Sequence, residues 1–193
     1  MIYTWKDIIK ENSESINLVG YGSLLNKNSN SYDSSLLPVI IKWFKRTYNI
    51  KMIPDNYSQD RLNNFKKYLI KYWIRNDDEI KRLNKENLCV LNCIYTWNSN
   101  DLVNWLLLKI NREQLFEFSQ REAQYNLIKT KFKSINPESG EYTWKFGDAY
   151  ILTAKPEQII SEWKAFQAYH ENAKKWAYSF WNYFWEAFEK SIL

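Results

Sequence analysis

Apolar runs of strand length recur along most of the chain, and their order constrains the fold more than any other feature. The runs contain β-branched and aromatic residues, and several are bounded by turn residues, as is typical of β-strands. The predicted strands lie at 16–19, 36–53, 88–97, 102–110, 125–135 and 142–154, the last region giving one or two strands. Because only the turn 98–101 separates the third run from the fourth, these two are predicted to form a β-hairpin.

Helical periodicity marks the segments between these runs. Residues 1–15 favour one short helix, and 54–87 differs in composition from the strands on either side. From Asp60 onward its apolar positions recur at three and four, which predicts a helical insertion with a second helix at 77–84. Asn111 is followed three residues later by Gln114, a capping-box pattern that predicts another helix, ending near Glu122.

The C-terminal segment 156–193 is predicted to be an all-helical tail, because Pro156 suits a helix start. Its aromatic residues follow helical spacing, namely Trp163, Phe166, Trp176, Phe180, Tyr183, Phe184 and Phe188. A stripe of this kind usually packs on a core. A homodimer face or a membrane-surface helix is the alternative, since aromatics and lysines also make such surfaces.

The composition limits the class of protein. With 193 residues, of which 45% are hydrophobic, the chain is predicted to form one domain over 1–193 and is not generally disordered. The first residues lack the basic start and apolar block of a signal peptide. No uncharged apolar run reaches the roughly 18 residues of a membrane span. We therefore expect a cytoplasmic protein.

Few residues are available for metal or nucleophilic chemistry. His170 is the only histidine, which disfavours a Ser–His–Asp scheme and excludes a site with several histidine ligands. On a strand, Cys89 and Cys93 would share a face about 13 Å apart, too far for a disulfide. Two small buried thiols are expected instead.

The net charge of +5 raises the question of a nucleic-acid partner. Basic and aromatic residues interleave at 42–48 and 129–133, a pattern that can bind nucleic acid. A solvated strand face explains it more commonly, and the excess charge is spread along the chain. Nucleic acid is therefore not the expected partner.

Residues 19–25 join the end of the first predicted strand to two glycines, Gly20 and Gly22. A strand that ends in such a turn can direct successive amide N–H groups into one concavity, which suits an anion. Taken alone, an ordinary tight turn is the better interpretation.

Four motifs follow one another along the chain. They are Tyr21-Gly22-Ser23-Leu24-Leu25, then Leu37-Pro38 with Arg46-Thr47-Tyr48-Asn49, then Arg121-Glu122-Ala123-Gln124-Tyr125, and finally Ala149-Tyr150-Ile151. Together they resemble the γ-glutamylcyclotransferase superfamily, including its ChaC-like and AIG2-like branches. They lie in the order and rough spacing of that superfamily, and the resemblance covers about 16–53 and 88–155. It implies an α+β fold, with a small closed or nearly closed mixed β-barrel and peripheral helices.

The resemblance also implies a site. A loop would hold the α-carboxylate of a small γ-glutamyl substrate, through Tyr21, Gly22, Ser23 and Leu24. Glu122 would be the general acid and base, and Tyr125 and Tyr150 would line the pocket. The implied reaction releases 5-oxoproline and needs no metal or cofactor.

The residue types suit this chemistry without reference to the superfamily. The α-amine of a γ-glutamyl group attacks its own δ-carbonyl, so the enzyme mainly has to hold a near-attack shape. One carboxylate can take the proton from the amine and return it to the leaving nitrogen, provided that burial raises its pKa. Two alternatives remain open: Glu122 as a helix-end carboxylate paired with Arg121 or a lysine, and a diverged protein that binds partners through its aromatic helices.

Overall fold

The computed structural model describes residues 1–11, 14–20, 36–52, 58–72, 78–79, 81–82, 88–161, 164–179 and 182–192. The strands within these ranges are β1 (Ile2–Tyr3), β2 (Ser15–Gly20), β3 (Leu37–Lys42), β4 (Phe44–Lys51), β5 (Leu88–Tyr95), β6 (Leu102–Asn111), β7 (Tyr125–Ile135), β8 (Tyr142–Ala154) and β9 (Lys164–Ala165). The helices are α1 (Trp5–Glu11), α2 (Gln59–Tyr72), α3 (Arg112–Arg121), α4 (Gln167–Tyr178) and α5 (Asn182–Lys190), with a 3-10 turn at Pro156–Gln158.

Six strands form the larger sheet, in the order β1-β7-β3-β6-β2-β8. Strand β8 also pairs with β7, so the hydrogen bonding runs from β7 through β3, β6, β2 and β8 back to β7. Neighbours are antiparallel except for β2 and β8, which are parallel. This closed circuit, with helices around it, confirms the predicted α+β barrel.

A smaller three-stranded sheet, in the order β4-β5-β9, packs beside the barrel. Its buried side chains join those of the barrel and of α1, α3, α4 and α5 in one hydrophobic cluster. Cys89 and Cys93 are both buried in that cluster, as predicted.

The predicted hairpin between the strands around 98–101 is wrong. β5 pairs with β4 and β9, whereas β6 pairs with β2 and β3. The connection therefore carries the chain from one sheet to the other. The physical reason lies in β6, which is buried at six successive positions from Val103 to Leu108, so it needs packing on both faces and a strand on both sides. A two-stranded hairpin would leave it exposed.

The tail is not entirely helical. A short strand, β9, precedes α4 and pairs in parallel with β5, an arrangement that helical spacing could not reveal. Phe184 and Phe188 of α5 are fully buried, so this part of the aromatic stripe packs on the core. Trp163 and Phe180 lie outside the described residues. A dimer through these helices stays a prediction.

The other helices lie where the sequence predicted them. α3 begins with the expected capping box, in which Asn111 and Gln114 bond reciprocally at 2.9 Å, and it ends at Arg121. α2 confirms the first helix of the insertion; of the second, only 78–79 and 81–82 are described, and these are helical. Among the helices that the structure describes, none is both long and apolar enough to cross a bilayer.

Candidate active site

Glu122 follows α3 as its C-cap residue, and its backbone is held from three directions. Its N–H donates to the Phe118 carbonyl at 2.8 Å, which completes the last helical turn. Its carbonyl accepts the indole N–H of Trp5 at 3.0 Å and the backbone N–H of Tyr125 at 3.0 Å. The residue is therefore fixed between the end of α3, the start of β7 and α1.

The Glu122 carboxylate lies in a mostly buried position, with 12% of its side chain exposed. Its Oε1 accepts the Nε–H of Arg121 at 2.8 Å, and the Arg121 guanidinium lies 4.5 Å from the Phe118 ring centroid. Burial raises the pKa of Glu122 because it penalises the charged form, while the charge and hydrogen bond of Arg121 oppose that rise. The predicted ion pair with Arg121 is thus present, and burial is the larger influence on the pKa.

The strand register brings the end of β2 to the same sheet edge as Glu122. Val19 lies opposite Ile151 of β8, so Gly20 approaches the last residues of that strand. Tyr125 pairs with Ala154 at the end of β8. Gly20, the last residue of β2, therefore lies at the edge of the barrel where β7 begins with Tyr125, three residues after Glu122.

Tyr125 and Tyr150 are both mostly buried, at 6% and 9% exposure. Tyr150 pairs with Leu18 on one side and Lys129 on the other, and its ring meets Tyr3 edge-on at 5.7 Å. Because Lys129 and Tyr125 are four residues apart, the two tyrosines share a sheet face about 13 Å apart along the strands. Among the described residues, no hydrogen bond joins Glu122 to Tyr150. The structure thus brings the backbone of Tyr125 to Glu122, and places Tyr150 nearer Gly20 at the end of β2.

The predicted carboxylate-binding residues Tyr21, Gly22, Ser23 and Leu24 lie outside the described residues. Their roles stay predictions. Trp5 and Tyr3 were missed by sequence reasoning, although Trp5 belongs to the apolar pattern that predicts α1. Its contact with Glu122 spans 117 positions in the sequence, and no local pattern reveals a contact of that range.

Arg46, which belongs to the second motif, is fully buried beneath the tail. Its guanidinium lies between the rings of Trp105 and Phe188, with Cζ 4.6 and 4.4 Å from their centroids. It donates to Ser191 Oγ and to the Asn104 carbonyl. Burial lowers its pKa to about 9. In the described structure its contacts join the barrel to α5 and the residues after it.

This arrangement places a carboxylate whose pKa is raised by burial beside a cation. A raised pKa brings a carboxyl group closer to the range in which it can both accept and return a proton. Within the described ranges, no group of three or more His, Cys, Asp or Glu side chains could hold a metal ion. His170 lies elsewhere, with its Nδ1 hydrogen-bonded to the Tyr48 hydroxyl.

No family model and no curated protein matches the sequence. Among solved structures, the chain is similar to a γ-glutamyl cyclotransferase specific to glutathione from yeast, with a TM-score of 0.56 and 11% identity over 93% of this chain and 98% of the yeast chain. It is also similar to YkqA from Bacillus subtilis, with a TM-score of 0.54 and 12% identity, covering 95% of this chain and 54% of that one. The chain thus spans about half the length of YkqA. Identities this low establish the fold alone. The chain has the fold of the γ-glutamyl cyclotransferase-like superfamily.

Proposed function

We propose that the protein is a γ-glutamyl cyclotransferase-like enzyme, which releases 5-oxoproline and a free amine from a small γ-glutamyl compound. The observation that carries the proposal is Glu122: a buried carboxylate with a raised pKa, at the sheet edge where β2 ends in Gly20. Neither feature alone would support an enzyme, because many helix ends carry a glutamate and many turns carry two glycines.

The reaction proceeds within the substrate. Glu122 accepts a proton from the α-ammonium, and the freed amine attacks the δ-carbonyl to form the carbon–nitrogen bond of a five-membered lactam. The amide bond to the leaving group then breaks as Glu122 returns that proton to the departing nitrogen. The ring nitrogen still carries two hydrogens, and it gives up one as a second proton, which the freed amine takes up to leave as an ammonium ion. Two protons thus pass from the α-nitrogen to the leaving nitrogen, and no oxidant, reductant or water is consumed. Positioning contributes much of the rate gain because nucleophile and carbonyl belong to one molecule.

Other residues have supporting roles in this scheme. Amides of the loop that contains Tyr21, Gly22, Ser23 and Leu24 would hold the α-carboxylate, which suits the anion preference of such turns. Tyr125 and Tyr150 would line the pocket. Arg121 acts on Glu122, since its hydrogen bond keeps the carboxylate oriented and limits how far burial raises the pKa.

The test compares Glu122→Gln with Glu113→Gln, an exposed position on α3 that receives the same substitution. Purified protein is incubated with glutathione, γ-glutamyl amino acids and γ-glutamyl amines, and 5-oxoproline is measured by mass spectrometry. We expect Glu122→Gln to lower kcat/KM by at least about 100-fold while the melting temperature stays close to that of Glu113→Gln. Turnover retained in Glu122→Gln would refute the assignment of Glu122.

A diverged protein of the same fold that binds partners without catalysis is the second candidate. The Arg121–Glu122 ion pair favours this candidate, because pairing with a cation can by itself account for the position of the buried carboxylate. In that case the wild-type protein releases no 5-oxoproline from any compound of the panel. Light scattering would then detect a stable dimer or larger complex if the aromatic helices form the interface.

A further inference from the structure

A groove of about 430 Å³ lies on the barrel surface, and it is lined by neither Glu122, Tyr125 nor Tyr150. Its walls include the two basic and aromatic stretches that are separate in the sequence, together with aromatic residues of β5 and β8. Lys42 ends β3 and Trp43 links β3 to β4. The β7 lysines 129, 131 and 133 lie across from them. The fold thus joins two weak sequence signals in one concave surface, which we name the basic aromatic groove.

The lysines of the groove form a regular row. Lys129, Lys131 and Lys133 alternate along β7 and are all exposed, so their side chains leave one face about 6.6–6.8 Å apart. Asp148 faces this row, opposite Lys131 in register and 3.4 Å from the Nζ of Lys129. Lys42 lies at the end of β3, which pairs with the same part of β7. The row therefore keeps a positive excess at a spacing comparable to that of phosphates in an extended single strand.

Aromatic rings line the groove beside the lysines. Trp43 and Tyr95 stack at 6.3 Å with an interplanar angle of 13°. Two further rings of the lining are exposed. Phe146, opposite Lys133 in register, has 81% of its surface exposed, and Tyr142, whose ring centroid lies 5.3 Å from the Nζ of Lys133, has 54% exposed. Large aromatic side chains left in water in one patch are typical of a binding surface.

The backbone at Trp43 supports a functional role for this patch. Its φ is 76°, a region that bulky residues rarely adopt. The strain is maintained by two backbone hydrogen bonds at 2.8 Å, from Trp43 N–H to the Asp101 carbonyl and from Thr96 N–H to the Trp43 carbonyl. Strained residues held in this way concentrate at binding and active sites. Here the strain holds an aromatic ring at the groove wall.

We infer that the basic aromatic groove binds single-stranded nucleic acid. Lysines would neutralise successive phosphates, and the rings would stack on unpaired bases, the combination by which sequence-tolerant single-strand sites work. A concave surface suits a strand that lies between two walls, whereas a bilayer favours protruding residues. A duplex offers no unstacked base to the rings. The inference does not depend on the proposed enzymatic function, because the two sets of residues are different.

The test measures fluorescence anisotropy of labelled oligothymidylate and oligouridylate of about twelve nucleotides, at several salt concentrations. The first variant changes the three β7 lysines of the row to glutamine. Its control changes three exposed lysines elsewhere, which removes the same charge. The control positions are Lys6, Lys10 and Lys175. The second variant, Trp43→Leu with Phe146→Leu, keeps apolar side chains but removes the rings.

Three results are expected together. The wild-type protein binds both oligonucleotides with a steep dependence on salt. The β7 variant binds at least ten-fold more weakly, and its log–log salt slope falls by about 2, since each phosphate contact on a single strand contributes roughly 0.7; the control variant keeps most of the affinity. The leucine variant also binds at least ten-fold more weakly, but its salt slope is unchanged, because stacking releases no counterions.

Other results would overturn the inference. One is oligonucleotide binding whose affinity does not depend on salt concentration. Another is the absence of binding at low salt by protein that circular dichroism shows to be folded. Equal affinity for a duplex of the same length would exclude stacking on unpaired bases. Vesicles of phosphatidylcholine and phosphatidylserine serve as the membrane arm. Suppose that the wild-type protein bound vesicles but no oligonucleotide, and that the Trp43→Leu, Phe146→Leu variant still bound vesicles. The groove would then be assigned to a lipid surface.

Discussion

Replacing Phe188 by alanine tests whether α5 is part of the core. The ring is fully buried, lies 6.0 Å from Trp185 in a nearly parallel stack, and has the Arg46 guanidinium 4.4 Å from its centroid. Truncating a buried phenylalanine to alanine costs about 3–5 kcal/mol, and losing one face of a desolvated cation–π pair costs about 1–2 more. Because such contributions overlap, we expect a loss of about 4–6 kcal/mol in the free energy of unfolding.

Urea denaturation followed by tryptophan fluorescence measures this loss, with Phe146→Ala as the control. That ring is 81% exposed, so its removal should change stability by no more than about 0.5 kcal/mol. Phe188→Leu keeps most of the volume and removes the ring, so we expect a smaller loss of about 1–2 kcal/mol. A loss below about 1 kcal/mol in Phe188→Ala would refute core packing of α5. A loss that shrinks as protein concentration rises would instead support a dimer through this helix.

Three further predictions concern single groups. Burial raises the pKa of Glu122 above its ordinary value of 4.5. The folded state therefore binds this proton more tightly than the unfolded state, and the free energy of unfolding falls as pH rises from 4.5 through the folded pKa. The free energy of unfolding of Glu122→Gln, measured against pH, should lack that fall. Arg121→Met removes the interaction that lowers this pKa. The acidic limb of the pH profile of the proposed cyclotransferase reaction should therefore move to higher pH. An unchanged limb would show that Glu122 is not the group that titrates there. Burial raises the pKa of the Cys93 thiol, and Cys89 is equally buried, so both should react with iodoacetamide only as fast as the protein unfolds; rapid labelling of native protein would contradict this.

Local sequence patterns correctly predicted those helices and strands whose ends are fixed by nearby turn or capping residues. Strand β7 and the capping box at Asn111 lie where the sequence placed them, because turn residues and side-chain caps act within a few positions. Pairing partners were harder to predict. Nothing in the turn before β6 distinguishes a hairpin from a crossing to another sheet, and the parallel addition of β9 to β5 joins Lys164 to Leu88 across a long stretch of sequence.

In the candidate site, too, contacts between residues near in sequence could be predicted and contacts between distant residues could not. Glu122 and Tyr125 are close in sequence, so one motif located both, and their hydrogen bond follows from the turn between α3 and β7. Trp5 reaches the Glu122 carbonyl from α1, and Arg46 reaches Ser191 from β4, both through contacts that only the closed fold creates. A basic aromatic groove likewise could not be predicted, since its two halves come from β3 and β7, which are neighbours only in the barrel.

One strand pair connects the candidate active site to the groove, because Lys129 lies opposite Tyr150 on β7 and β8. These strands pair at ten positions, and Tyr150 is buried against Tyr3, so we expect the surfaces to act independently. Lys129→Gln should weaken oligonucleotide binding and leave 5-oxoproline release unchanged. Tyr150→Phe should raise KM for the γ-glutamyl substrate and leave oligonucleotide binding unchanged. A saturating oligonucleotide should change KM by less than about five-fold, below the usual range of allosteric coupling. If either variant lowered both activities, one continuous site that takes a larger anionic ligand would replace the two.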